Sequence, residues 1–394
     1  MKILIVPELD WLASLQNRIQ KISDRISKNN QVHVIYFKHH KSNIKRSIKL
    51  KKNIYLHKPT IVFFKNKLIY YIVNIIPTFN YIYKIIKNYK IDLIVSTNFL
   101  IAPFCIVISK ITKIPFVFDL VDFQPYHIHY LTYIPKFIRK IGIFILSQLL
   151  KFDIKKADHV ITTGIPLFHI AKMIKGKSVS IVSNGVDPNL FKSDIYDENI
   201  RKKYELGDLN IGFVGALEYW VDFNYLFKAI SILKEDYQSI KLFLIGPSEN
   251  LGLNKIKYLA WKYNVINNII FTGRVPYKKI PAYIKMLDFC IVPFVKNYLT
   301  ECIIPMKIFE YLACGCPVIS VPLAGIKSVF KDSIYYAETP LQVRKIVDVL
   351  MKKENIFSNK WSSLVRKYDW EDLSKKYCQI LKDVLTRSES KINN

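Results

Sequence analysis

A lysine and a glutamate stand three residues apart in the segment PMKIFEYLACGC, in which Pro305 and Gly315 mark the two ends of a predicted helix. Proline suits the first helical position and glycine suits the position just past the last turn, so the segment predicts a helix over 305–314. Lys307 and Glu310 share one face of such a helix. No side-chain oxygen directly precedes Pro305, and the first-turn N–H groups therefore remain available to an anion.

The chemistry of this pair suits a ligand that carries both phosphate and hydroxyl groups. The Lys307 ammonium places a positive charge beside a phosphate, and the Glu310 carboxylate accepts hydrogen bonds from sugar hydroxyls. A solvent-exposed lysine–glutamate pair has the same spacing, so this pair by itself leaves both interpretations open.

Three further segments stand in an order and spacing that match a known family. They are SNGVD at 183–187, IGFVG at 211–215 and FTGRV at 271–275. Together with the segment of Lys307 and Glu310, they resemble the donor-site signature of nucleotide-sugar-dependent glycosyltransferases of family 4, also called glycosyl transferases group 1.

The resemblance implies the GT-B architecture, an α/β fold with two Rossmann-like parallel-sheet domains that face a cleft. We expect an acceptor-binding domain over 1–190, a nucleotide-sugar-binding domain over 191–368 and a C-terminal helix over 369–394 that crosses back to the first domain. The implied activity is transfer of a sugar from a nucleoside diphosphate with retention of configuration. A non-transferring enzyme of this fold, such as a 2-epimerase, and a catalytically silent binding relative are the alternatives.

The distribution of apolar residues also predicts two α/β halves. Short β-rich runs separated by helix-length segments are typical of parallel sheets. The predicted strands are 3–6, 32–37, 93–96, 116–119, 160–163 and 179–182 in the first half, and 211–214, 242–245, 269–271, 289–293, 318–321 and 334–336 in the second. Ligands of such sheets bind beyond the carboxyl ends of the strands, where Gly215, Arg274 and the Pro305 helix fall. Helical spacing over 361–387 predicts a long terminal helix.

Breaking a sugar–diphosphate bond leaves negative charge that a metal ion or protein cations must neutralise. Metal-dependent sugar transferases of the other common fold carry an Asp-x-Asp pair, and no two aspartates of this chain are two apart. We therefore predict a site without metal or cofactor, in which Arg274 and Lys307 neutralise the leaving group and Gly215 lets the backbone approach the phosphates. Arg274 as a surface residue after a turn is the alternative.

Two features depart from the family pattern. Many relatives carry two glutamates eight positions apart, whereas here Cys302 stands eight before Glu310 and the nearest acid is Glu301. The usual lysine after the first glycine turn is missing, and the chain reads LEYWVD at 217–222, which resembles a branch of surface-polysaccharide transferases. The predicted donor-binding residues are Gly215, Arg274, Glu301, Lys307 and Glu310.

The acceptor side rests on the segment FDLVDF at 118–123, which resembles the D-x-x-D segment of the same branch. Asp122 is the predicted catalytic residue that orients the acceptor hydroxyl, with Asp119 in support. An aspartate that caps the next helix is the alternative. His127 and His129 stand nearby and are candidates for acid–base work or for packing.

Positive charge is concentrated in the first half of this 394-residue chain. Residues 1–190 hold 29 Lys+Arg against 9 Asp+Glu, a balance of +20 within the total of +28. No nucleic-acid-binding motif accompanies this charge. Residues 133–151 combine Lys136, Arg139 and Lys140 with large apolar residues, which is the make-up of a basic interfacial helix on an anionic membrane. A helix that packs on the sheet with a basic outer face is the alternative, and compositional bias contributes to the charge.

These features together predict an enzyme at the cytoplasmic side of a membrane. No apolar run approaches the 18 to 20 residues that a membrane span needs, and the first apolar run is too short for a signal peptide. The six cysteines lack metal-ligand spacing and fit core positions in a reducing compartment. We predict a nucleotide sugar as donor, a lipid-linked or surface glycan as acceptor, an anionic membrane surface as a further partner, and no nucleic acid.

Overall fold

The computed structural model describes residues 1–8, 11, 17–37, 47–59, 73–131, 134–194, 197–248, 251–352 and 359–393. The chain divides into two compact α/β units, Met1–Ser183 with Trp370–Asn394, and Asn184–Asp369. The sequence predicted this boundary at residue 190 and the start of the C-terminal helix at residue 369.

The first unit is built on an eight-stranded sheet in the order β3-β4-β2-β1-β5-β6-β7-β8. Its strands are β1 (Lys2–Val6), β2 (Gln31–Ile35), β3 (Ser47–Lys51), β4 (Ile54–His57), β5 (Leu93–Ser96), β6 (Phe116–Leu120), β7 (His159–Thr162) and β8 (Val179–Ile181). Every described pairing is parallel except β3 with β4, which is antiparallel. The central strands are apolar and buried, as helices on both faces of a parallel sheet require.

Five helices of the described residues connect these strands, and the last helix of the chain packs with them. They are α1 (Arg18–Ile26), α2 (Ile75–Tyr89), α3 (Ala102–Thr112), α4 (Lys136–Lys156), α5 (Ile165–Lys175) and α14 (Trp370–Asn393). Helix α1 begins with a capping box, in which Asn17 and Gln20 exchange side-chain to backbone hydrogen bonds. A buried network ties α1, β6 and α14 together: Asp119 accepts hydrogen bonds from Arg18 at 3.2 Å and from the Tyr377 hydroxyl at 3.1 Å.

The second unit contains a six-stranded, fully parallel sheet in the order β11-β10-β9-β12-β13-β14. Its strands are β9 (Leu209–Val214), β10 (Ile240–Ile245), β11 (Ile269–Gly273), β12 (Phe289–Val292), β13 (Val318–Ser320) and β14 (Tyr335–Tyr336). Its helices are α6 (Glu198–Lys203), α7 (Phe223–Leu233), α8 (Leu253–Lys262), α9 (Ile280–Lys285), α10 (Met306–Ala313), α11 (Ala324–Phe330), α12 (Pro340–Met351) and α13 (Asn359–Lys367). The chain reverses its direction across the sheet between β11 and β12, and the strand order places β9 at this switch point.

The predicted α/β class with two parallel-sheet domains is confirmed, and each of the twelve predicted strands is present. Strands β3 and β4 were not predicted. The predicted long terminal helix over 361–387 is wrong, because two helices, α13 and α14, occupy that stretch and break at Tyr368 and Asp369. The break has a physical reason: the Tyr368 carbonyl accepts the Val186 N–H at 3.0 Å, and Val186 pairs with Asp369 as an isolated bridge.

Five of the six cysteines are buried, and all six are free thiols. Among the helices of the described residues, none is long and apolar enough to cross a membrane.

Candidate functional site

The helix that carries the lysine–glutamate pair is α10, and it is one residue shorter at each end than the sequence predicts. Pro305 is the residue that precedes its first turn, with φ −70° and ψ 128°, instead of the first helical residue. Gly315 lies past the end with φ 74°, in the left-handed region that glycine favours. No side chain caps the first turn of α10.

Helix α10 is fixed against the end of the central strand β9 by Tyr311, which is fully buried. The Tyr311 hydroxyl accepts the Val214 N–H at 2.8 Å and donates to the Val214 carbonyl at 3.3 Å. Because Val214 ends β9, this contact places the first turn of α10 beside the glycine turn that follows.

Lys307 lies at that glycine turn. Its Nζ stands 4.4 Å from the ring centre of Phe213 and 5.3 Å from that of Phe294, so two aromatic faces stabilise the cation. Burial lowers the pKa of Lys307 to about 8, and the nearby Glu310 carboxylate opposes that shift. The ammonium is therefore poorly solvated, and an added negative charge would stabilise its charged form.

Gly215 is required for this arrangement. Its φ is 146°, and a Cβ at this position would collide with the Lys307 Nζ. Gly246, at the end of β10, has φ 152°, and a Cβ there would collide with the Gly215 carbonyl. The two glycines hold the strand ends close together and leave backbone next to the lysine, as the close approach of a phosphate would need.

Glu310 is buried and oriented by Tyr277, whose hydroxyl donates to Glu310 Oε1 at 2.7 Å. Tyr277 also meets Phe191 edge-on at 5.4 Å between ring centres. Tyr277 was not predicted from the sequence. The available signal was its position shortly after the FTGRV segment, on the loop that leaves β11.

Arg274 lies on this same loop, directly after β11, and it is exposed. The preceding Gly273 has φ 67° and turns the chain at the strand end. Tyr277, three residues further on, brings the loop into contact with α10. The structure thus places Gly215, Lys307 and Glu310 together and places Arg274 on the loop that contacts them.

Glu301 is engaged elsewhere. Its Oε2 accepts the Ala324 N–H at 2.6 Å, at the first residue of α11, and its Oε1 lies 4.0 Å from the Lys296 Nζ. The carboxylate therefore caps a short helix after β13. Its predicted contact with a donor sugar stays a prediction.

The WVD segment that replaces the usual family sequence forms a short pairing with the chain after β12. Val221 and Phe294 form an antiparallel bridge, and Asp222 caps α7 by accepting the Tyr225 N–H at 2.9 Å. Trp220 is half-buried, and its carbonyl accepts the Val295 N–H at 2.9 Å. This segment holds Phe294, one of the two rings that contact Lys307.

Asn184 begins the second unit and contacts the chain just before α10. Its Nδ2 donates to the Ile304 carbonyl at 2.6 Å, across 120 residues of sequence. Because Ile304 directly precedes Pro305, this hydrogen bond fixes the entry to the helix of Lys307 and Glu310.

In the first unit, Asp122 follows β6 and lies 3.6 Å from His127, between Asp122 Oδ2 and His127 Nε2. Both side chains are partly exposed. His127 belongs to a 3-10 turn, Gln124–Tyr130. Asp119 is fully buried in its network with Arg18 and Tyr377, so it fixes β6, the strand that ends two residues before Asp122.

Within the ranges that the structure describes, no group of three or more His, Cys, Asp or Glu side chains is placed to hold a metal ion. The candidate site instead consists of a poorly solvated lysine, two glycine turns and an oriented carboxylate at the carboxyl ends of β9 and β10.

Residues 197–355 match the profile of the family described as glycosyl transferases group 1. A curated relative, the putative teichuronic acid biosynthesis glycosyltransferase TuaH of Bacillus subtilis, is 28% identical over 167 residues, which are 42% of this chain and 40% of TuaH. Overall, the chain spans between 40% and 63% of the length of the curated relatives it matches.

Two solved structures share the fold over nearly the whole chain. The sucrose-phosphate synthase of Thermosynechococcus elongatus superposes with a TM-score of 0.82 at 13% identity, covering 98% of this chain and 100% of that one. The Anabaena protein Alr3699/HepE, crystallised with UDP and glucose, superposes with a TM-score of 0.72 at 14% identity, covering 97% and 99%. At these identities the likeness shows the GT-B fold.

Proposed function

We propose that this chain, whose residues 197–355 match the glycosyl transferases group 1 family and whose fold is GT-B, transfers a sugar from a nucleoside diphosphate to a glycan acceptor. The observation that carries the proposal is the meeting of Lys307 with Gly215 at the carboxyl end of β9, one helical turn from Glu310. A similar fold that was crystallised with UDP and glucose supports a nucleotide sugar as the donor.

The proposed site binds the two halves of a nucleoside diphosphate by different means. Lys307 and the backbone at Gly215 hold the diphosphate, and the aromatic faces of Phe213 and Phe294 keep the ammonium poorly hydrated, which strengthens its attraction to phosphate. The Glu310 carboxylate, oriented by the Tyr277 hydroxyl, accepts hydrogen bonds from sugar hydroxyl groups of the donor.

In the proposed reaction the bond between the anomeric carbon and the diphosphate oxygen breaks, and an acceptor hydroxyl oxygen forms the new bond to that carbon. The proton of this hydroxyl passes to the leaving diphosphate. The charge that develops on the leaving diphosphate is neutralised by Lys307 and Arg274, so we propose that no metal ion or other cofactor takes part. We also propose that the anomeric carbon retains its configuration, as the family resemblance implies.

The acceptor is proposed to be a lipid-linked or surface glycan, bound by the first unit, at the cytoplasmic face of an anionic membrane. Asp122 orients the acceptor hydroxyl, and its contact with His127 supports that role by holding the carboxylate in place. The TuaH relative, named for teichuronic acid biosynthesis, supports a glycan product. The excess of 20 positive charges in residues 1–190 supports attraction to an anionic surface.

Nucleotide binding provides the direct test of the donor site. We expect UDP, GDP or ADP to raise the melting temperature of the purified protein, and we expect that rise to vanish in Glu310→Ala. Lys202→Ala is a matched control, because Lys202 is an exposed residue of the same unit, paired with Glu198. No rise with any nucleotide would contradict a working donor site and favour a silent binding relative.

Turnover then separates a transferase from an epimerase of the same fold. We expect the wild-type protein to hydrolyse one nucleotide sugar of a panel slowly, releasing the nucleoside diphosphate without metal ions. When an acceptor is added, we expect the Asp122→Asn variant to lose this release. Conversion of the sugar at carbon 2 without transfer would favour the epimerase alternative.

A further inference from the structure

Helix α4 presents an apolar face to solvent. Over residues 136–149, the first two thirds of the helix, no side chain is buried. The large apolar side chains exposed on α4 are Phe137 (66%), Ile138 (45%), Ile141 (55%), Phe144 (65%), Ile145 (58%) and Phe152 (43%). The buried residues of α4, Leu150, Asp153 and Ile154, all lie near its C-terminal end.

These exposed side chains lie on one side of the helix, within an arc of about 120° at 3.6 residues per turn. Phe137 to Ile145 form a stripe about 12 Å long, and the exposed Gln148 on the same side separates this stripe from Phe152. A stripe of this width normally faces a protein core. Here it faces outward, which differs from the sheet-packed helix with a basic outer face that the sequence left as an alternative.

The charges around the stripe indicate what covers it. Lys136, Lys140 and Lys151 are exposed on α4, and the only acidic residue of the helix, Asp153, is buried. An apolar stripe with lysines along one edge complements a surface with apolar depth and anionic headgroups. A protein partner of this shape would have to supply acidic groups around an apolar groove.

We propose that α4 lies in the headgroup region of an anionic membrane and buries the stripe of Phe137, Ile141, Phe144 and Ile145 in it. The choice of lipid over a protein partner rests in part on the proposed function, because a lipid-linked acceptor is presented at such a surface. The exposed stripe and its lysines are independent of the donor site.

The turn on which α4 packs links the exposed stripe of this helix to Asp122, the residue predicted to orient the acceptor. The helix packs on the Gln124–Tyr130 turn: the Arg139 guanidinium donates to the His129 carbonyl, and a Cβ at Gly142 would lie 3.3 Å from Ile128. The same turn carries His127, which contacts Asp122. A membrane that holds α4 would therefore hold the Asp122 loop near the acceptor headgroups.

Vesicle sedimentation tests the proposal. The wild-type chain is expected to sediment with vesicles of phosphatidylcholine and phosphatidylglycerol. The double variant Phe137→Asn/Phe144→Asn is expected to bind these vesicles at least about tenfold more weakly. Met173→Asn is the control, because Met173 is 84% exposed on α5, outside the stripe, and its loss should leave binding unchanged. Replacing Lys136, Lys140 and Lys151 with glutamine should weaken binding and reduce its dependence on salt.

Three results would overturn the proposal. The first is unchanged vesicle binding in the double variant, and the second is a loss of vesicle binding in Met173→Asn that equals the loss in the double variant. The third is that the wild type forms a dimer in sedimentation velocity, the double variant does not, and neither protein binds vesicles. The nucleotide-induced rise in melting temperature is measured on the same proteins. If vesicles bind through the stripe but no nucleotide has an effect, the proposed donor site fails and the membrane surface stands.

Discussion

The two units use their buried charged and titratable groups differently. In the second unit, Lys307 and Glu310 meet at the carboxyl ends of the strands, next to a glycine turn that leaves room for a ligand. In the first unit, His33 and His57 contact each other at 2.9 Å inside the core, and burial lowers the pKa of each to about 4. The carboxyl of Asp153 is buried there as well, and burial raises its pKa to about 9.

A perturbed pKa does not locate a functional site by itself. The pKa shifts in the first unit are as large as that of Lys307, yet those groups lie on core-facing sides of β2, β4 and α4. What distinguishes Lys307 is its position at a strand end beside backbone that only glycine can adopt. Variants of both units test that difference.

The largest effect is expected from Lys307→Met, which keeps the apolar contacts with Phe213 and Phe294 and removes the charge. We expect nucleotide affinity to fall by about tenfold to a hundredfold, because a charged hydrogen bond to phosphate is lost. In the wild type, affinity should hold below pH 8 and fall above it by about tenfold per pH unit, because the free lysine loses its proton there. Titration calorimetry measures both.

Lys327→Met is the control for that experiment, since Lys327 also lies over an aromatic ring, that of Tyr336, and is exposed. Equal losses in the two variants, or an affinity that is flat through pH 8 to 10 in the wild type, would contradict the role of Lys307.

In the first unit, Asp153→Asn is expected to stabilise the protein. Within the described residues neither carboxyl oxygen of Asp153 has a hydrogen-bond partner, so the native state holds the group protonated. Its folded pKa of about 9 exceeds the unfolded value, and the free energy of unfolding therefore falls as pH rises from about 4 to 9. We expect a gain of about 1–3 kcal/mol at pH 7 by urea unfolding, growing with pH across this window.

The neighbouring Asp158→Asn should act in the opposite direction, because Asp158 Oδ2 accepts the Phe116 N–H at 2.9 Å. A loss of stability in Asp153→Asn would mean that its carboxylate is ionised and compensated, and the contrast between the two units would disappear.

A smaller effect is expected from Tyr277→Phe. The variant removes the hydroxyl that orients Glu310 and keeps the ring that packs on Phe191. We expect about a tenfold loss of nucleotide affinity with little change in melting temperature. Tyr204→Phe serves as the control, because its hydroxyl lies 3.5 Å from that of Tyr283, away from Glu310. A fall in melting temperature with unchanged affinity would make Tyr277 a packing residue only.

The smallest effect is expected from Asn184→Asp, which replaces the donor to the Ile304 carbonyl with a carboxylate of the same size. We expect nucleotide affinity to fall by about threefold to tenfold, because the entry to α10 loosens. Asn189→Asp, at an exposed position in the same segment, should leave affinity unchanged. Identical affinities of the two variants would remove the link between Asn184 and the donor helix.

The parts of the fold that the sequence predicted are those with strong local signals. Each buried strand of the parallel sheets is a run of apolar residues, and all twelve predicted runs form strands. The hairpin of β3 and β4 was missed because SIKLK and IYLH are short, and its turn depends on Asn53 at φ 69°. The break between α13 and α14 was missed because a partner distant in sequence, Val186, creates it.

The amino-acid sequence by itself determined the α/β class, the resemblance to the glycosyl transferases group 1 family and the placement of Lys307 and Glu310 on one helix, because these follow from local periodicity and from motifs of adjacent residues. Only the tertiary structure decided that Lys307 lies near two aromatic rings and beside Gly215, that Tyr277 orients Glu310, that Glu301 caps α11, and that the apolar stripe of α4 faces outward. Each of these depends on contacts between residues far apart in the chain, and pairings of that kind leave no local signal.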